Sequence, residues 1–331
     1  MEINENPEII LRLARQFMES RILLSAVEIN IFTLLDGKQA SVPELASSLD
    51  ADLRGLTILL DALAAMGLIS KKEDLYQCSP NAALFLSEKS NRSLLPMIRH
   101  LVNLWESWSN LTNKVKKPAL INPPDPDIRN IIELHAFIGA MHVVGEPMAQ
   151  KIAAVVQPGK AKSLIDIGGA SGTYTIAFLR AAPEMKATLF DRSMVIPIAR
   201  ERLIKSGLID RVNLVAGNFY KDEFPGGHDL VLISAIIHQN SPAENIELFK
   251  KASRAMVPGG RIIIRDHVME PDRTEPREGA IFAVNMLVNT EGGGTYTFNE
   301  IKDWLVEAGF VKIRLLQAGK HMNALVEGFK P

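Results

Sequence analysis

The chain is predicted to be an α/β protein, a mainly parallel sheet preceded by a helical front half with a winged-helix pattern. Three observations carry that expectation. From Ser163 onward, short β-rich runs alternate with helical segments, the order of βαβ units. The last two β-rich runs are joined by so few residues that they must pair antiparallel. Before Gln157-Pro158-Gly159-Lys160 the apolar periodicity is almost wholly helical. A chain of 331 residues exceeds the size at which single cores stop growing, so two domains are expected, 1–157 and 158–331.

The front half begins with apolar residues at helical spacing, Ile9, Leu13, Phe17, Leu24, Val27 and Phe32, which predict one or two helices with a broad apolar stripe. Ser41-Val42-Pro43-Glu44 reads as an N-cap, a first-turn proline and a capping-box acid. A second amphipathic helix runs from Asp52 to Met66 and is closed by Gly67. Leu68–Ser70 and Leu75–Cys78 then form a hairpin around a charged turn. Helix, helix, hairpin is the winged-helix pattern. Its would-be recognition helix, Leu53 to Ala65, offers only Arg54 as a cation, which disfavours base and phosphate contacts and favours packing or dimerisation. Helical periodicity continues over Ser93–Leu111 and Ile128–Val155, separated by Pro118, Pro123, Pro124 and Pro126, read as a surface connection.

In the second half the expected strands are Leu164–Ile167, Ala187–Phe190, Val212–Val215, Asp229–Ile233 and Arg261–Ile264. Helices are expected at Tyr174–Ala181, Val195–Lys205 and Ala243–Met256, with a turn at Pro258-Gly259-Gly260. After a long insertion come a helix, Phe298–Ala308, and the antiparallel pair Val311–Leu316 and Asn323–Glu327.

Composition excludes several classes. Hydrophobic residues at 47% and charged residues at 23% describe a folded globular protein. Lys plus Arg, 37, balance Asp plus Glu, 38, so there is no basic field for nucleic acid. Cys78 alone permits neither an intrachain disulfide nor a multi-cysteine metal site. The polar, acidic start is unlike a secretory signal, and no apolar run of about twenty residues is present. A cytoplasmic protein without membrane or metal is the expectation.

The segment Asp166-Ile167-Gly168-Gly169-Ala170-Ser171-Gly172 links the first strand to a helix. Glycines there admit a ligand close to the backbone, and the helix N-terminus offers amides. Nineteen positions beyond Gly172, Asp191 ends the second strand, where a carboxylate suits the ribose hydroxyls of an adenosine cofactor. The dinucleotide signature G-x-G-x-x-G is absent, since Ala170 stands at the second paired glycine.

With Gly217-Asn218-Phe219 after the third strand, Ser234-Ala235-Ile236-Ile237-His238 after the fourth and Pro258-Gly259-Gly260-Arg261 before the fifth, the chain resembles the small-molecule O-methyltransferases. That family includes caffeate, isoflavone, hydroxyindole and bacterial antibiotic-tailoring enzymes, and the resemblance spans nearly the whole chain. It implies a Rossmann-like, seven-stranded sheet with the last strand antiparallel, an N-terminal helical, winged-helix-like dimerisation domain, S-adenosylmethionine as cofactor, and a homodimer. The implied reaction is methyl transfer to a hydroxyl of an aromatic or polyketide-like small molecule.

Matching positions place Asp166, Gly168, Gly169 and Gly172 in the cofactor loop, Asp191 on the ribose, and Asn218 and Phe219 against the adenine. Ser234 stands where some members carry Lys, removing a cation. His238 falls at the general base, within a His-Asp-Trp sequence that here reads His238-Gln239-Asn240. A neutral imidazole suits proton removal near pH 7; the competing reading is a capping or packing histidine. Of two carboxylates that orient that histidine in plant members, Asp266 remains, and the other position is Thr295. Asp266 could instead bridge to Arg265 or His267. His135 and His142 share a helical face, as pocket lining or as boundary residues. The acceptor pocket is placed loosely around Trp105, Phe137, Met141, Met286 and Asn289. Rival readings are carbon or nitrogen methylation or a non-methylating reaction on the same fold, a nicotinamide oxidoreductase, and a ligand-sensing transcription factor.

Overall fold

The computed structural model describes residues 6–117 and 131–331. The prolines read as a surface connection, Pro118, Pro123, Pro124 and Pro126, lie outside the described residues, as do the first five positions and Ile128. The chain forms two compact units, the first ending at Trp105 and the second starting at Glu106.

The first unit contains α1 (Pro7–Glu28), α2 (Ile31–Leu35), β1 (Ala40–Ser41), α3 (Val42–Leu49), α4 (Leu53–Ala65), β2 (Ile69–Lys72), β3 (Leu75–Cys78), α5 (Pro80–Leu86) and most of α6 (Leu95–Ser109). Its helix starts follow local chemistry. The Asn6 side chain accepts from the Glu8 N–H, the expected Ser41–Glu44 capping box is present, and the Asp52 carboxylate accepts from the Gly55 N–H. The hairpin forms as expected and gains β1, giving the antiparallel order β1-β3-β2. Phe32, Leu35, Leu60, Leu63 and Tyr76 fill the core of this unit, each worth about 2 kcal/mol of burial. The first half of α1 behaves differently: Ile10, Leu13 and Phe17 are each more than half exposed.

The second unit continues with α7 (Leu111–Lys116), α8 (Ile131–Val156), β4 (Ser163–Ile167), α9 (Thr173–Ala181), β5 (Lys186–Asp191), α10 (Ile196–Lys205), β6 (Val212–Ala216) and β7 (His228–Ser234). There follow α11 (Pro242–Ala255), β8 (Met256–Asp266), β9 (Val268–Met269), α12 (Arg277–Asn289), β10 (Tyr296–Thr297), α13 (Phe298–Glu307), β11 (Val311–Gln317) and β12 (Ala324–Phe329). The seven-stranded sheet has the order β11-β12-β8-β7-β4-β5-β6. Five central strands are parallel, and β12 lies antiparallel to both neighbours, as the sequence predicts.

Strand periodicity sorts side chains onto two faces. Leu164, Leu230, Leu232 and Ile263 pack with α8 and α9, while Ile165, Ile167, Val231, Ile233, Ile262 and Ile264 pack with residues of α11 and α13. The same alternation decides where the polar strand ends point. Two features were not legible beforehand. Pro258-Gly259-Gly260 is a bulge inside β8, where the pairing jumps from His228–Met256 to Leu230–Arg261 and Gly259 takes a φ of +75°. The long insertion contains α12. Among the described residues no helix is long and apolar enough to cross a membrane.

Candidate active site

At the C-terminal edge of β4 the chain turns through Gly168 and Gly169 into α9. Gly168 has a φ of +69°, and a Cβ there would lie 2.5 Å from Ile236 Cδ1. A Cβ on Gly169 would lie 2.7 Å from Leu189 Cγ and 3.1 Å from Asp166 Cγ. The loop therefore needs glycine for backbone shape at one position and for space at the other. Its far side is held by a hydrogen-bonded chain. Ser171 Oγ is 2.9 Å from Thr173 Oγ1, which is 2.8 Å from His142 Nδ1, and Arg202 Nη1 donates to His142 Nε2 at 2.6 Å. Since Nε2 accepts, Nδ1 is the protonated nitrogen. Burial, and then Arg202, push His142 down to about 4, so it is neutral at pH 7. His142 thus braces the loop, while His135 is exposed.

Two acids flank the turn. Asp166 is fully buried on the α9 side, accepts from Thr175 Oγ1 at 2.6 Å, and is pushed up to about 6 chiefly by burial. Asp191 accepts from the Ala170 and Arg192 N–H groups, each at 2.7 Å, and burial pushes it likewise to about 6. Each carboxylate oxygen of Asp191 keeps a second lone pair for a hydroxyl donor.

Beyond β6, Asn218 Oδ1 accepts from the Tyr220 N–H and the Asn218 N–H donates to Asp222. The Phe219 ring comes within 3.9 Å of the position a Gly168 Cβ would occupy, so this loop meets the glycine turn. Four buried residues hold it there, and sequence reasoning missed all of them but Asn240. Lys251 Nζ donates to the carbonyls of Phe219, Tyr220 and Asp222. Asn240, fully buried, accepts from the Tyr220 hydroxyl at 2.7 Å and donates to Asn245 at 3.0 Å, and Asn245 donates to the Ile237 carbonyl. Tyr296 donates to the Asn240 carbonyl. This network ties the loop after β6 to the short turn Ile237–Gln239, which carries His238.

His238 Nδ1 is 2.9 Å from both Oδ1 and Oδ2 of Asp266, whose side chain is 1% exposed. Burial alone would raise the Asp266 carboxyl, but the His238 charge and hydrogen bond and the His267 backbone N–H outweigh it and hold the carboxyl below its usual value. With Nδ1–H directed at Asp266, the lone pair of the neutral ring lies on Nε2. The Phe282 ring of α12 lies edge-on to His238, with centroids 4.9 Å apart, and 5.1 Å from His267. Asp266 does not bridge to Arg265, because consecutive strand residues face opposite sides, and it meets His267 only through the backbone N–H. Thr295 donates to the Gly279 carbonyl.

Ser234 accepts from Arg265 Nε at 2.6 Å, and the Arg265 guanidinium lies 4.6 Å above the Tyr174 ring. The cation that Ser234 lacks is thus present from the next strand. A charge interrupting the run Ile262-Ile263-Ile264 was the signal that could have revealed it. Of the loosely placed pocket residues, Met286 is buried on α12 and Asn289 donates to Asn285, which accepts from Trp108. Phe137 packs against Leu134, Ile138 and Val195, and Trp105 is stacked by Arg21.

The turn that excludes a Cβ, the strand-end acid with free lone pairs and the adjoining aromatic ring fit an adenosine cofactor carrying a small amino-acid end. Comparison with known proteins agrees. A family model described as an O-methyltransferase domain matches residues 135–311, and one described as an O-methyltransferase dimerisation domain matches 11–88. The chain is 30% identical to the tetracenomycin polyketide synthesis 8-O-methyl transferase TcmO of Streptomyces glaucescens, covering 98% of this chain and 97% of that one. It is 29% identical to the 3-hydroxy-5-methyl-1-naphthoate 3-O-methyltransferase of Streptomyces sahachiroi, covering 98% and 95%. Its fold is similar to that of the mitomycin 7-O-methyltransferase MmcR, with a TM-score of 0.84 at 25% identity over 98% of both chains. PigF solved with SAH is similar in fold, with a TM-score of 0.89 at 24% identity over 98% of this chain and 100% of that one.

Proposed function

The chain belongs to the O-methyltransferase family and is an S-adenosylmethionine-dependent O-methyltransferase, and we propose that its acceptor is a hydroxyl of an aromatic or polyketide-like small molecule, with His238 as general base. The observation that carries the base assignment is the bidentate approach of His238 Nδ1 to the buried Asp266 carboxylate. The aromatic acceptor class is supported by the naphthoate and tetracenomycin relatives and by the Phe282 ring beside His238.

The cofactor supplies an electrophilic methyl on a sulfonium. Everything else falls to the protein. Asp166, Gly168, Gly169 and Gly172 shape the turn that would receive it, Asp191 would accept from the ribose hydroxyls, Asn218 and Phe219 would border the adenine, and Ser234 would line the amino-acid side. His238 Nε2 removes the proton of the acceptor hydroxyl as oxygen becomes the nucleophile, and Asp266 stabilises the imidazolium. In-line displacement further requires that oxygen to be held close to the methyl carbon.

We assign dimerisation to the front of the expected 1–157 domain, where residues 11–88 match the dimerisation-domain model, and cofactor binding to 158–331 together with α8, which packs on its sheet. A homodimer is supported by the dimerisation-domain match and by the exposed Ile10, Leu13 and Phe17 on α1. Nucleic acid is disfavoured as a partner by α4, where Leu53 and Ile58 are exposed and Asp61 is bonded to Lys71.

The test is a His238→Ala variant assayed with a hydroxynaphthoate-type acceptor. Turnover should fall about 100-fold or more while S-adenosylhomocysteine still binds. Unchanged turnover removes His238 from the mechanism.

A further inference from the structure

Arg265 is 5% exposed, yet among the described residues no carboxylate lies within ion-pair distance of it. Its contacts are neutral. Nε donates to Ser234 Oγ, Nη1 donates to the Met322 carbonyl, and the guanidinium face rests on Tyr174, while Nη2 makes no hydrogen bond to any described residue. Asp166 shares the α8–α9 face and feels the Arg265 charge, but its hydrogen bond goes to Thr175 and it makes no ion pair with the guanidinium. A guanidinium keeps its charge at any working pH, and burying a charge without an opposite one is costly. Among the described residues no carboxylate is in direct contact with the guanidinium, and Nη2 is left for one.

Two positions narrow that anion. Ser234 and Arg265 are register partners at the C-terminal ends of β7 and β8, and β7 is directly paired with β4, the strand that leads into the Gly168–Gly172 turn. Arg265 also stacks on Tyr174, in the first turn of α9, immediately after that glycine turn. It therefore borders the cofactor side of the edge, whereas the His238–Asp266 pair serves the acceptor side. S-adenosylmethionine carries one anionic group, the α-carboxylate of its amino-acid end, and a planar guanidinium matches a carboxylate through paired N–H donors.

We propose that Arg265 binds the α-carboxylate of the cofactor, making it the anchor of the amino-acid end. Ser234 orients the guanidinium through Nε and Tyr174 supports its face, leaving Nη2 for the carboxylate. The inference rests on the cofactor lying against Gly168 and Asp191, so the test separates the two ideas.

Isothermal titration of the full-length protein compares three ligands: S-adenosylhomocysteine, its α-carboxamide, and 5′-methylthioadenosine, which lacks the amino-acid end. Wild type should bind the acid roughly 10- to 100-fold more tightly than the amide. Arg265→Met should lose that preference, weaken S-adenosylhomocysteine by a similar factor, and bind 5′-methylthioadenosine as wild type does, which also reports that the variant is folded. Arg265→Lys should fall between. Equal binding of acid and amide by wild type overturns the proposal without any variant. Equal weakening of all three ligands in Arg265→Met makes Arg265 a packing residue and overturns it as well. Asp191→Ala should weaken 5′-methylthioadenosine and S-adenosylhomocysteine alike; if it weakens neither, the cofactor position is wrong, and the acid-over-amide preference remains a separate reading of Arg265.

Discussion

His238 Nδ1 stands 2.9 Å from each oxygen of the Asp266 carboxylate, which is buried at the end of β8. The two residues come from different strand ends, and β7–β8 pairing brings them together. One tautomer follows, with the proton on Nδ1 and the lone pair on Nε2.

Asp266→Asn tests that tautomer. The amide keeps the size of the side chain but offers an N–H to Nδ1, which would place the imidazole proton on Nε2. Turnover should fall about 100-fold or more, with S-adenosylhomocysteine affinity within about twofold of wild type by titration. Loss of both together would make the pair structural.

Asp191 predicts a pH dependence of cofactor binding. Burial raises it to about 6, and only the ionised carboxylate accepts from both ribose hydroxyls. Affinity for S-adenosylhomocysteine should be flat above pH 7 and fall towards pH 5, by up to tenfold per unit. Asp191→Asn should bind more weakly at pH 7 and lose that slope. A slope that persists in the variant assigns the proton elsewhere.

Gly169→Ala is expected to clash with Leu189 and Asp166, at a cost of about 1–3 kcal/mol. A lower Tm and weaker S-adenosylhomocysteine binding should result. Leu189→Ala in the same chain opens the space and should recover part of the binding, although it creates its own cavity. No recovery would place the fault in backbone conformation.

The Tyr220–Asn240–Asn245 network predicts coupling. Asn240→Leu leaves the Tyr220 hydroxyl and Asn245 Oδ1 without partners, at about 1–3 kcal/mol. Adding Tyr220→Phe should cost less than it does in wild type. Strict additivity in chemical denaturation would show that the bonds contribute nothing jointly.

His142 predicts acid sensitivity. Its folded value, about 4, is below the ordinary 6.5, so the unfolded state binds the proton more readily. Stability from this group is therefore full above pH 6.5 and is lost as the pH falls from 6.5 towards 4. His142→Gln should flatten that part of the stability profile relative to wild type; an unchanged profile would mean that His142 takes up its proton at the same pH folded and unfolded.

Much of this was legible in the linear chain because it is written in short-range chemistry. The strand-to-helix glycine turn, the strand-end Asp191, the capping boxes and the period-2 runs each depend on neighbours a few residues apart. The Asn6, Ser41 and Asp52 caps formed where helix starts were expected or close by. The helix carrying Phe282 was hidden in an insertion without a clean apolar stripe, because α12 has only a few buried positions, Gly279, Met286 and Val288 among them. Lys251 and Asn245 read as ordinary polar helix residues, and only tertiary placement gives them partners more than a helical turn away.

The sequence by itself determined the α/β class and put Asp166, Asp191, His238 and Asp266 at or just after strand ends on one edge of the sheet. Each of these follows from local periodicity or from the identity of a residue at a strand end. Only the tertiary structure decided that Asp266 faces His238 while Arg265 faces the opposite side beside Ser234. The reason is the two-residue period of β8 combined with its register against β7: two adjacent charges are sent to different faces, and which face each one takes depends on which helices pack there.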